Sequence, residues 1–254
     1  MSRILAITNQ KGGVGKTTSA VNLAAGLAQA GKRVLLIDLD PQGNATMGCG
    51  VDKQALGRSV YHLLLGHAEL EDVRVTTEHG FDILPANREL GGAEVELIEV
   101  EHREVRLRLA LDNVRQQYDF VLIDCPPALN MLTLNGLAAA DGVVIPMQCE
   151  YYALEGLTDL VNTLRKVRLA INPRIEIDGL LRTLYDPRST LAQQVVAQLA
   201  QHFGDKVFKT VIPRNIRLAE APSFGQPIFS YDKSSRGAQA YRELADELIA
   251  RFGK

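Results

Sequence analysis

An apolar run, ILAIT at residues 4–8, passes directly into NQKGGVGKTT and then into a helical pattern carrying Val21, Leu23, Ala24, Leu27 and Ala28. A strand, a glycine-rich turn and a helix in immediate succession leave few options for the backbone. Glycines let consecutive N–H groups point inward at an anion, and the helix N-terminus adds a favourable dipole. With a lysine and a threonine in register, the loop is predicted to cradle the phosphates of a nucleotide. Lys16 is expected at the β- and γ-phosphates and Thr17 at Mg2+, with Gly12, Gly13, Val14, Gly15 and Thr18 completing the cradle. Gly31 stands where the helix needs a C-terminal cap.

Further apolar runs recur between helical stretches: VLLID at 34–38, VLID at 121–124, VVIP at 143–146 and IDGLLRTLY at 177–185. Runs without polar alternation suit strands covered on both faces, which implies a mainly parallel sheet between helices. The expected fold is a doubly wound α/β domain of the P-loop NTPase kind, a single domain over residues 1–254. Helices are expected at 153–170, 190–203 and 236–251. Residues 89–117 read as a long, charged, solvated helical region, with six glutamates against one arginine between Glu89 and Glu104.

With 28 basic against 30 acidic residues, no global charge announces a nucleic-acid or membrane partner, so any such surface must be local. Cys49, Cys125 and Cys149 are irregularly spaced, which argues against a disulfide framework and fits a reducing cytoplasm. No run approaches the ~18 apolar residues of a membrane span, and no leader precedes the first strand, so a soluble, unexported chain is expected. His62, His67, His79, His102 and His202 lie far from the phosphate loop in no metal-ligand spacing and read as surface or packing residues.

Two carboxylate-bearing segments follow strands: DLDPQGNAT at 38–46 and DCPP at 124–127. In parallel sheets, ligands bind at the carboxyl ends of the strands. Asp124 is therefore the expected Walker B residue, holding Mg2+ directly or through water. Asp38 and Asp40 differ by two and are not separated by spacing alone.

KGGVGKTT resembles the deviant Walker A motif of the ParA/MinD family, with Gln10 where the ordinary motif has glycine and with the additional Lys11. The resemblance extends through DLDPQGNAT, YDPRST, IPRNIRLAEAP and SYDKSSRGAQAY, nearly the whole chain, and is strongest with the chromosome-type ParA members. It implies an ATPase using ATP/ADP and Mg2+, in which two subunits sandwich two nucleotides and Lys11 reaches the partner's phosphates. It further implies that Asp40 positions the attacking water, with Asp38 supporting the magnesium shell, and that Pro213, Arg214 and Asn215 hold the base. Six basic residues against Glu220 and Asp232 between Lys206 and Arg236 are a footprint for DNA phosphates, although charge alone equally allows a solvated basic face. By resemblance, Arg188, Arg217, Lys233 and Arg236 are the expected contacts to nonspecific double-stranded DNA, with Lys206 and Lys209 weaker candidates. A ParB-like centromere-binding partner and an ATP-dependent homodimer on the nucleoid complete the implied system.

Three alternatives are less well supported. A membrane-surface ATPase like MinD needs a basic amphipathic C-terminal helix, whereas ELADELIARFGK has mixed charge. An iron-sulfur ATPase needs intersubunit cysteines, and Cys125 and Cys149 read as small apolar residues. A bacterial tyrosine kinase lacks its terminal tyrosine cluster, and with no segment before the first strand a sequence-reading helix-turn-helix is not expected.

Overall fold

The computed structural model describes residues 2–253. Among them are strands β1 (Arg3–Ile7), β2 (Val34–Asp38), β3 (Val75–Thr76), β4 (Asp82–Leu84), β5 (Phe120–Asp124), β6 (Gly142–Gln148), β7 (Glu176–Tyr185) and β8 (Val207–Pro213). They form one eight-stranded sheet in the order β3-β4-β2-β5-β1-β6-β7-β8. Every pairing is parallel except β3 with β4. β2 and β5 are buried at every residue, as expected of apolar strands with helices on both faces.

Side chains alternate across β1, so one strand feeds two cores. Leu5 and Ile7 pack with Leu23 and Leu27 of the helix Lys16–Gln29 and with Tyr241, Leu244 and Leu248 of the helix Arg236–Phe252. Ile4 and Ala6 join the opposite core with Leu132, Leu137, Leu157 and Leu160. Burying a leucine contributes about 2 kcal/mol. Leu23 and Leu27 are wholly buried, so packing rather than intrinsic propensity holds the helix behind the glycine loop. At Gly26 the C-terminal helix comes so close that a Cβ would lie 3.2 Å from that of Ala245 and 3.3 Å from the Tyr241 carbonyl oxygen.

The expected strands and the three later helices are present, as Ala153–Ala170, Thr190–Phe203 and Arg236–Phe252. The acidic region is not one solvated helix. It divides into helices Leu90–Glu96 and Arg106–Asp112 joined by short turns, with His102 in the left-handed region at φ 58°. Leu90, Ala93, Leu97, Leu107 and Leu111 are buried, so the segment is cut to follow the core surface. β8 departs from the continuous apolar runs of the inner strands because it is an edge strand whose residues alternate in burial. No described helix is long and apolar enough to cross a membrane.

Candidate nucleotide site

Three strands end at one level beneath the glycine loop. Ile7 pairs with Asp124 across β1 and β5, and Asp124 pairs with Asp38 across β5 and β2. The loop leaves β1 at this edge and turns through Gly13 at φ 72° and Gly15 at φ 83°, conformations that disfavour any residue with a Cβ. Val14 is buried and its carbonyl accepts a 2.8 Å bond from the Thr183 hydroxyl, while Gln148 Nε2 donates to the Gly13 carbonyl at 3.2 Å. The loop is thus tied to β6 and β7. Lys16 opens the following helix and curls back to donate to the Lys11 carbonyl at 3.0 Å. Its burial lowers its pKa, opposed by the charges of Asp124 and Asp40.

The loop forms one wall of a cavity of about 350 Å³, reached by Gly12, Gly13, Gly15, Lys16, Thr17, Thr18 and Asp40. Pro213 and Asn215 line the same cavity, whereas Arg214 is exposed and does not. Asn215 also caps the short helix Ile216–Glu220 through its side chain, which fixes that wall. Lys11 lies outside: its ammonium is 2.5 Å from Glu150 Oε2, in the loop after β6.

The carboxylates divide by environment. Asp124 is fully buried, and neither of its oxygens has a hydrogen-bond partner. Burial first, then the charge of Asp38, pushes its pKa well up, with the Thr17 hydroxyl and Lys16 acting the other way. Two orphaned carboxylate oxygens beside a hydroxyl are a donor set that fits a small, hard divalent cation such as Mg2+. Asp38 is equally buried but accepts from the Thr46 N–H and hydroxyl, each at 2.8 Å, and from the Asp40 N–H at 3.1 Å. Burial raises its pKa to about 6 despite these bonds. Asp40 stands beyond the strand end with its Oδ1 accepting from the Gln42 N–H at 2.9 Å, and it reaches the cavity.

Several lining residues carried no recognisable motif. Thr183 and Leu184 enter from the end of β7, where the register with β8 slips and Leu184 takes φ 49°. Such a bulge re-aims side chains beside a site. Tyr241 arrives from the C-terminal helix and bonds Ser19 of the loop's own helix at 3.0 Å. None is marked in sequence, because only the fold brings residues 183 and 241 to residue 16.

Most of the basic candidates follow the carboxyl ends of β7 and β8 in the chain. Arg188 is clamped by Asp186, whose pKa it lowers to about 2, with the Arg214 charge a lesser contributor. Arg217 pairs with Glu220 at 2.9 Å and Asp232 at 3.6 Å, next to exposed Lys233 and Arg236. Lys206 belongs to the other end of β8 and pairs there with Glu176. Cys49, Cys125 and Cys149 are buried free thiols.

A family model described as an AAA domain matches residues 2–177. The chain is 53% identical over 255 residues to the chromosome-partitioning ATPase Soj of Treponema pallidum, covering 100% of both chains. It is 52% identical over 252 residues to the chromosome partitioning protein ParA of Caulobacter vibrioides, covering 98% of this chain and 94% of that one. Among solved structures it is similar, with a TM-score of 0.88 and 41% identity, to a cobyrinic acid a,c-diamide synthase from Mycobacterium smegmatis with bound ADP and magnesium, covering 100% of this chain and 96% of that one. The chain therefore belongs to the ParA/MinD family of P-loop proteins, in the group of Soj and ParA.

Proposed function

We propose that this protein is the ATPase of a chromosome-partitioning system, forming an ATP-dependent sandwich dimer that holds nonspecific double-stranded DNA and releases it after hydrolysis stimulated by a ParB-like partner. It acts in the cytoplasm, on the nucleoid when ATP-bound. The observation that carries the reading is the convergence on one cavity of the glycine loop, Asp40 and the β8 terminus Pro213, from which the basic segment runs.

The protein is an ATP hydrolase that uses Mg2+. Thr17 and Asp124, with Asp38 behind them, would hold the cation, which when bound neutralises charge on the phosphates. Lys16 and the loop amides bind the β- and γ-phosphates and disperse the charge that builds on the leaving oxygen. Asp40 orients the attacking water in line. Pro213 and Asn215, with exposed Arg214 beside them, hold the base. Lys11 reaches across to a partner's phosphates in the dimer, a reading supported by its pairing with Glu150 outside its own cavity. Loss of the γ-phosphate then loosens the dimer and ends the attachment to DNA. The name of the M. smegmatis structure points to amide synthesis, but the higher identity to the Treponema and Caulobacter proteins over nearly the whole chain favours partitioning.

Gel filtration together with duplex-DNA binding at low salt, compared for apo, ADP and ATP forms, tests the reading. Dimers and DNA binding only with ATP are expected. An ATP-loaded protein that ignores nonspecific duplex would overturn it.

A further inference from the structure

Within the basic segment stands an aromatic feature that phosphate binding leaves unexplained. Phe224 keeps 64% of its surface exposed, although burial of such a ring is strongly favourable. It is not loose. Its ring stacks on Tyr231 at 5.1 Å between centroids and 29° between planes, and Gly225 follows it in the left-handed region at φ 64°. Tyr231 is fixed in turn by its hydroxyl, which donates to Glu220 Oε2 at 3.0 Å, the same oxygen that accepts from Arg217 at 2.9 Å. Ile216, next to Arg217, is 73% exposed.

A half-open aromatic stack joined to Arg217 through Glu220, with exposed Lys233 two residues beyond Tyr231, combines a π-face with cations. That pairing matches the platforms on which unpaired bases stack while the neighbouring cations track the backbone. A duplex offers such a ring little, because its base faces are already stacked and only edges and phosphates are open. Given the DNA-binding reading above, we infer that the Phe224–Tyr231 stack is a further binding element that takes an unpaired nucleobase of single-stranded DNA, sharing Arg217 and Lys233 with the duplex surface for the adjoining phosphates.

The chain contains no tryptophan, so Phe224→Trp installs a single fluorescent reporter at the platform. With Mg-ATP present, a short oligothymidylate should quench that fluorescence, and an abasic strand of equal length and charge should not. Phe224→Ala, an exposed change that leaves the core intact, should weaken oligothymidylate binding by about tenfold while duplex affinity stays within about twofold. Equal quenching by the abasic strand, no quenching by either, or unchanged single-strand affinity in Phe224→Ala would overturn the inference. Wild-type protein that binds duplex but not oligothymidylate defeats the stacking site alone. Wild-type protein that binds neither defeats the DNA-binding reading, and the stacking site with it.

Discussion

Asp38 and Asp124 are register partners on adjacent parallel strands, both fully buried, yet Asp38 accepts three hydrogen bonds and Asp124 none. The difference separates a carboxylate built into the backbone from one left open for a cation.

This pair predicts an inverted pH dependence in nucleotide-free protein. Asp38, raised from 3.8 to about 6, holds a proton in the folded chain that the unfolded chain releases. Folded stability therefore falls as pH rises from about 4 through about 6, and Asp124, raised by the same burial, extends the loss upward. Asp124→Asn removes the titrating carboxyl at constant shape and should stabilise the metal-free protein by roughly 1–3 kcal/mol at about pH 8. Denaturant midpoints with and without Mg2+ check this, and a lower midpoint for the variant would contradict the assignment.

Lys16→Ala should weaken ATP binding by about tenfold to a hundredfold, the scale of a lost charge-assisted hydrogen bond. Isothermal titration calorimetry reads the result directly, and ordinary affinity would remove Lys16 from the phosphate site.

At Asp40 the side chain also closes a turn onto the Gln42 N–H, so two substitutions are needed. Asp40→Asn keeps that acceptor and Asp40→Ala removes it. Both should bind ATP and trap the dimer, with turnover down by at least about a hundredfold. If the asparagine variant hydrolysed ATP normally, the water-positioning role would lie elsewhere.

Thr183→Val preserves volume but strips the donor from the buried Val14 carbonyl. The orphaned acceptor should cost about 1–2 kcal/mol and loosen the loop. A lower melting temperature and about fivefold weaker nucleotide binding are expected, and a neutral outcome would show that the loop holds its shape unaided.

Arg217→Glu reverses a charge already shared between Glu220 and Asp232. The expected result is loss of duplex binding with ATP-dependent dimers retained, measured by anisotropy beside gel filtration. Intact DNA binding would take Arg217 out of the surface.

The glycine loop, its lysine and threonine, the apolar strands and the position of Asp124 were legible because each is local: a period, a turn residue, a spacing. β8 escaped because its alternation matches an edge strand half in solvent, and the acidic region misled because its buried leucines are spread among glutamates. Thr183, Leu184 and Tyr241 could not be placed, since nothing local marks a residue whose role comes from a bulge or from a helix crossing.

Local residues suffice to specify a phosphate cradle after a buried strand in a parallel sheet, because backbone conformation and strand burial are set by near neighbours in the chain. Long-range packing settles which carboxylate is left without a partner, that Lys11 turns to Glu150 rather than into its own cavity, and that Phe224 stands stacked but open. Those outcomes depend on strand order and through-space partners, which no local pattern encodes.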